Sequence, residues 1–319
     1  MRFDSRGLVS TYISDWMPLG DVTRQSVAGY YAGGDTSGSG YLDTIDKITF
    51  ATQAKSTLAT GMTSGKYGPM GFANSGTAGY VAGGAGGGTV ARIDKVTFPA
   101  DSKSTLTATL TVARHSGAAF SNAGVAGYIP SSYTNVGQAT TADKVTFSTE
   151  TVATTTSIGF LAYFAGFANN GVAGYVAGGT TGSRTSSISK YTFPADTVTT
   201  LSDTLTTART NPTGFANSSV AGYVAGGTDS VGFVSGIDKI AFPADTKSTL
   251  SATLTTARDA PAGFADSGVA GYIAGGFDSG GVLSGIDKIA FPADTKTTLS
   301  ATLSSANYTG TAFSNEGVF

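Results

Sequence analysis

Ala221-Gly222-Tyr223-Val224-Ala225-Gly226-Gly227 is the stretch that decides the fold, because close copies of it recur along the chain. The Gly-Tyr step returns at Tyr30, Tyr80, Tyr128, Tyr175, Tyr223 and Tyr272, at intervals of 50, 48, 47, 48 and 49 residues. A fixed period of this length marks a repeat architecture in which each unit is one supersecondary module. In five units the step runs into a glycine pair, as in Gly33-Gly34 or Gly275-Gly276, whereas the third unit has Ile129-Pro130.

Working outward from the step, each unit divides into four strands. In the last full unit Ala262 to Ala265 lead into the turn Asp266-Ser267-Gly268, and a second strand runs from Val269 to Ala274. The third, Ile286 to Phe291, ends at Pro292-Ala293-Asp294-Thr295, where proline fixes φ and removes a ladder donor. A fourth strand is expected over Leu299, Ala301 and Leu303, which share one face at period two. Four short strands per unit make a propeller blade, and six units make an all-β, six-bladed β-propeller.

Composition agrees. Of 319 residues 45 are glycine and only 13 % are charged, about half the usual share of roughly 25 %. The surface must be covered mostly by Ser, Thr, Asn and Gly. A net charge of −2 provides no basic field for a phosphate backbone, so nucleic acid is not an expected partner. The absence of cysteine excludes disulfides and thiolate sites. No stretch approaches the roughly 18 apolar residues of a membrane span, and Met1-Arg2-Phe3-Asp4-Ser5-Arg6 leads into no apolar segment of signal-peptide length. The expectation is a soluble protein without an ordinary secretion signal and without membrane insertion.

The order of small-apolar strand, Gly-Tyr-x-x-Gly-Gly, loop, strand ending in an aromatic, Pro-x-Asp turn, final strand and Ala-Arg resembles the kelch repeat over roughly residues 26 to 319. Arg114, Arg209 and Arg258 fall in register, while Lys66, Leu161 and Asn307 stand at the same place in other units. Leu or Thr replaces the tryptophan that kelch repeats often carry in the fourth strand. WD-type repeats are disfavoured, since no Gly-His or Trp-Asp signature occurs.

The chain ends indicate how the ring closes. Phe72, Phe120, Phe167, Phe215 and Phe264 each precede the next Gly-Tyr tyrosine by eight residues; Phe313 is the sixth of the series but has no tyrosine after it, and Tyr30 has no such phenylalanine before it. Residues from Tyr308 to Val318 are therefore expected to supply the first strand of the blade begun by residues 26 to 60. Closure removes exposed ladder edges, which are templates for aggregation. Residues 1–25 lie outside the repeat as an N-terminal arm and hold the one tryptophan, in Trp16-Met17-Pro18. Two readings of the arm are open: a segment lying on the propeller, or a docking peptide with Trp16 and Met17 as contacts.

The sequence offers little chemistry. With one histidine, His115, and no cysteine, it lacks the means for a nucleophile–base pair or a zinc, copper or haem centre, and no cofactor is expected. His115 reads as a loop or strand-end residue. Lys47, Lys95, Lys144, Lys190, Lys239 and Lys288 occupy one place in all six units, preceded by Asp in five and by Ser189 in the fourth. These positions form either structural pairs between strands and blades or a ligand-binding ring. Loop carboxylates such as Asp229 and Asp278 are too sparse for a calcium site and suit turns. The third unit is irregular. It gains Tyr133, and Thr154 to Ser157 with the apolar run Ile158 to Phe164 stand in place of its fourth strand. Tyr133, Phe160, Leu161, Tyr163 and Phe164 form either a partner-contact surface or a divergent core with compensating packing.

The low-charge units, with Ile-Asp-Lys-Ile-x-Phe and Pro-Ala-Asp-Thr, resemble repeat proteins encoded by tailed bacteriophages. That resemblance implies a non-enzymatic virion structural or attachment protein, such as a tail fibre, tail-tip or capsid-decorating component. It would be assembled in the host cytoplasm, oligomeric within the particle, and would contact other virion proteins through the arm. The alternative is a glycan-binding propeller lectin, with loop Tyr, Ser and Thr recognising host polysaccharide. A polysaccharide lyase or hydrolase would need paired carboxylates that the sequence does not place.

Overall fold

Short runs rich in Val, Ile, Tyr, Phe and Thr, cut repeatedly by Gly and Pro, form strands and leave no room for helices. The computed structural model describes residues 28–38 and 40–315, and the regular elements among them are all strands. They build six four-stranded antiparallel sheets arranged as a six-bladed β-propeller. Blade 2 consists of Met70–Asn74, Ala78–Ala82, Ile93–Thr97 and Ser102–Thr105. Blade 3 consists of Phe120–Asn122, Ala126–Ile129, Ala142–Thr146 and Thr151–Thr155. Blades 4, 5 and 6 begin at Ala165–Asn169, Thr213–Asn217 and Ala262–Asp266 and end at Thr197–Thr200, Thr246–Thr249 and Thr295–Thr298. The first strand of each blade touches the first strands of both neighbours, so these six strands surround the axis.

Blade 1 draws on both ends of the described chain. Thr311–Ser314 pairs with Ala28–Ala32, which is followed outward by Ile45–Thr49 and Ala54–Thr57. Tyr30 lies opposite Phe313, the register that sets Phe72 opposite Tyr80 and Phe167 opposite Tyr175. Val318 lies outside the described residues, as does the arm with Trp16 and Met17.

The fourth strand differs from the sequence expectation. In blade 6 it is Thr295–Thr298, and Leu299 to Leu303 belong to the connection towards blade 1. Asp294 takes φ 54°, which closes the turn after Pro292 and lets pairing begin at Thr295. The outermost strand is mostly Thr and Lys because it is a sheet edge facing water. The apolar pair Leu299 and Leu303 instead plugs the core from the connection, and both are buried. Blade 3 is likewise more regular than its sequence suggests. Thr151–Thr155 pairs along Ala142–Thr146, so this blade keeps its fourth strand.

The blades are locked by one aromatic device repeated six times. Phe313 covers Gly79 of blade 2, Phe72 covers Gly127 of blade 3, and so on round to Phe264 over Gly29 of blade 1; a Cβ at any of these glycines would enter the ring. The glycine of the Gly-Tyr step is thus a packing requirement. Each step tyrosine stacks on the phenylalanine of its own blade at 5.0–5.5 Å. It also stacks on the phenylalanine that ends the third strand of the following blade, as in Tyr30 on Phe98 and Tyr175 on Phe242, both at 5.1 Å. Such pairs are each worth about 0.5–1.5 kcal/mol beyond their buried area.

Candidate functional site

The repeated charges are used for structure. Hydroxyls of Tyr30, Tyr80, Tyr128, Tyr175 and Tyr223 donate to Asp101, Glu150, Asp196, Asp245 and Asp294 of the following blade at 2.7–3.2 Å. The lysine of the third strand reaches the same carboxylate: Lys47 to Asp101, Lys190 to Asp245 and Lys239 to Asp294, each at 2.6 Å, and Lys95 to Glu150. Burial first, then the carboxylate, raises these phenols far above their ordinary range. Gln53 of blade 1 occupies the corresponding turn position for Tyr272 and Lys288, and the Tyr272 phenol rises only to about 12, chiefly through burial.

The aspartate before each lysine points the other way, into a buried pair. Lys66–Asp94, Arg114–Asp143, Arg209–Asp238 and Arg258–Asp287 lie at 3.3, 3.2, 2.9 and 3.0 Å. Burial would raise Asp94, but the Thr63 hydroxyl, Lys66 and Thr105 outweigh it and hold the carboxyl down to about 2. At the fourth unit the pair is exchanged whole: Leu161 and Ser189 replace base and acid, so no lone charge is buried. In blade 1, Asn307 takes the place of the base and accepts from the Tyr31 hydroxyl, while Asp46 keeps the bonds from Ser304 N–H at 2.7 Å and Thr57 at 2.6 Å that its counterparts also receive, as Asp94 does from Thr63 and Thr105.

Two residues follow each of these bases, and together they build one end of the axis. The second of each pair, Gly68, Ser116, Tyr163, Asn211, Ala260 and Thr309, has φ between 47° and 57°. Their main chains form a closed circle: the N–H of Gly68 donates to Thr309, Ser116 to Gly68, Tyr163 to Ser116, Asn211 to Tyr163, Ala260 to Asn211 and Thr309 to Ala260, at 2.6–3.1 Å. The left-handed region disfavours side chains by about 1–2 kcal/mol, more for a β-branched one. Five of the six positions nevertheless carry side chains there. The circle surrounds a cavity of about 110 Å³, which reaches down to the small residues Gly71, Gly166, Gly214, Gly263 and Ala312 of the innermost strands and to Ala119 just before Phe120. Among the described residues its lining includes no charged side chain.

The first residue of each pair breaks the symmetry. These are Tyr67, His115, Ala162, Thr210, Asp259 and Tyr308, and each forms a backbone bridge to the loop after the next blade's second strand. On one side the rings touch in series. Tyr41 lies 5.0 Å from Tyr67, Tyr67 5.4 Å from His115, and His115 6.2 Å from Tyr133. Tyr133 in turn meets Phe160 at 5.2 Å and Tyr163 at 5.4 Å. Burial lowers His115 below its ordinary value, which keeps the imidazole neutral at pH 7. On the other side Asp259 accepts from Thr228 at 2.7 Å and from the Asn211 amide at 2.9 Å. Burial raises its carboxyl against those bonds.

Of the residues singled out in the sequence, Tyr133, Phe160 and Tyr163 come together in this aromatic wall. Phe164 enters the core with Phe120 and Tyr128, and Leu161 packs against that core while its N–H donates to Ser131 at 2.9 Å. Phe164 also lines the axial cavity, and Leu161 stays half-buried. Sequence reasoning missed Tyr41, Tyr67, Tyr308, Asn211 and Asp259 and read His115 as a loop or strand-end residue. The available signal was positional, since most of them stand one or two residues after the repeated base.

No protein-family model matches the chain, and no curated protein is similar to it by sequence.

Proposed function

We propose that this chain is a non-enzymatic interaction propeller serving as a structural or attachment component of a virion, such as a tail fibre, tail-tip or capsid-decorating protein. One observation carries the interaction reading: a nearly six-fold ring spends its repeated charges on its own cohesion, yet keeps half of one end as a partly exposed aromatic wall. Concentrated aromatic area outside a core is typical of binding surfaces. The resemblance of the units to kelch-like proteins of tailed bacteriophages supports the virion placement, with other virion proteins as partners. A second reading, a lectin for host surface polysaccharide, is favoured by the pairing of that wall with a polar side at Asn211 and Asp259. Mass spectrometry of purified particles tests the placement. The chain is expected at a fixed copy number per particle, and abundance in infected-cell lysate with absence from particles would remove it.

A further inference from the structure

We propose that the axial mouth is a binding site for a neutral saccharide, in which a sugar ring stacks on the wall of Tyr67, Tyr133 and Tyr163 while its hydroxyls bond to Asn211, braced by Asp259. The inference rests on the attachment reading and gives it a ligand class and a location.

Three observations converge. The cavity lies on the axis inside the circle of left-handed residues, and Tyr163 and Asn211 both belong to that circle and to the cavity lining. Strained backbone of this kind persists where surrounding structure over-determines it, and it clusters at binding sites. The mouth has two chemical faces, with rings in contact at 5.4 Å on one, and on the other a carboxylate–amide pair at 2.9 Å flanked by the contact of Phe277 with Tyr308. A pyranose has the same two-sided character, with an apolar C–H face and a rim of hydroxyls. The hydrogen bond to Asp259 fixes the Asn211 amide, so a hydroxyl meets a preset group.

Size and charge narrow the class. A volume of about 110 Å³ is below the roughly 300 Å³ of sites for drug-sized ligands, and admits only the tip of a ligand, such as the edge of one terminal sugar whose face lies on the wall. The uncharged lining and the adjacent half-buried Asp259 favour a neutral sugar over an anionic one. A peptide is the less suitable occupant, because the wall offers ring faces and phenol hydroxyls rather than aliphatic side chains.

The test uses the full chain and a panel of soluble neutral oligosaccharides released from bacterial surface polysaccharides. Saturation-transfer NMR is expected to show magnetisation passing to sugar C–H protons for at least one of them. Tyr133→Ala and Asp259→Asn are each expected to weaken binding by roughly tenfold or more with melting temperature preserved. Silence across the panel, binding indifferent to both variants, or a peptide library yielding ligands at Tyr133 where sugars give none would each overturn the proposal. A silent panel with the chain present in particles removes this inference alone. Sugar binding by a chain absent from particles removes the virion placement alone.

Discussion

At Ala260 the backbone has φ 47° and the N–H donates to Asn211 at 3.1 Å, so one residue holds both strain and a link of the axial circle. Ala260→Gly is expected to raise stability by a few tenths to about 1 kcal/mol, the strain relieved being partly offset by greater freedom of the unfolded chain. Ala260→Val should lower it by about 2 kcal/mol or more; urea unfolding of the two variants checks the order. Asp94 yields a pH prediction. Its folded value of about 2 lies below the ordinary 3.8, so its stabilisation is complete above about pH 4 and is lost as pH falls towards 2. Asp94→Asn, which strands buried Lys66, should cost about 3–5 kcal/mol at pH 7, with the gap to the parent protein narrowing below about pH 4. A gap of constant size from pH 7 to 2 would contradict this account of the pair. The exchange of Arg and Asp for Leu161 and Ser189 was visible in the sequence as two separate irregularities. Only the structure shows them to be the two halves of one buried pair position, because the base comes from the connection before the blade and the acid from its third strand.

The elements divide by how clearly they announce themselves. The first three strands of each blade were legible because packing constrains them, the first two on both faces and the third in alternation, and because the Gly-Tyr-x-x-Gly-Gly order marks the second. The outermost strand was misplaced by several residues, since an edge of Thr and Lys carries no apolar pattern while buried leucines in the connection after it imitate one. The aromatic wall was legible only at Tyr133, Phe160 and Tyr163. Its other members are one residue per unit and of different types, and a scan for likeness passes over positions that vary. At the junctions, Gly222 underlies Phe167, and Gly222→Ala should destabilise by roughly 1–3 kcal/mol through overpacking. The junction between blades 6 and 1 has Gln53 where the others have a carboxylate. Gln53→Asp is expected to raise stability by about 0.5–1 kcal/mol, by giving Tyr272 and Lys288 the partner seen elsewhere and by suiting φ 56° better. Calorimetry decides: a fall in melting temperature would show that the missing carboxylate is no deficit.

On the scale of the whole molecule, cohesion is cyclic. The aromatic junctions and the axial circle both pass through blade 1, whose first strand comes from the far end of the chain. This joining was readable in the sequence from Phe313 lacking its tyrosine and Tyr30 lacking its phenylalanine. A chain ending at Asn307 would lose Phe313, the cover of Gly79, and the Thr309 link of the circle. It is expected to melt far lower and over a broader range, because two junctions fail together. The most direct measurement is hydrogen exchange of the intact chain followed by mass spectrometry. If the ring is closed as described, amides of Ala28–Ala32 and Thr311–Ser314 exchange together and as slowly as those of Ala173–Ala177 in blade 4. Rapid exchange at Thr311–Ser314 while blade 4 stays protected would contradict it.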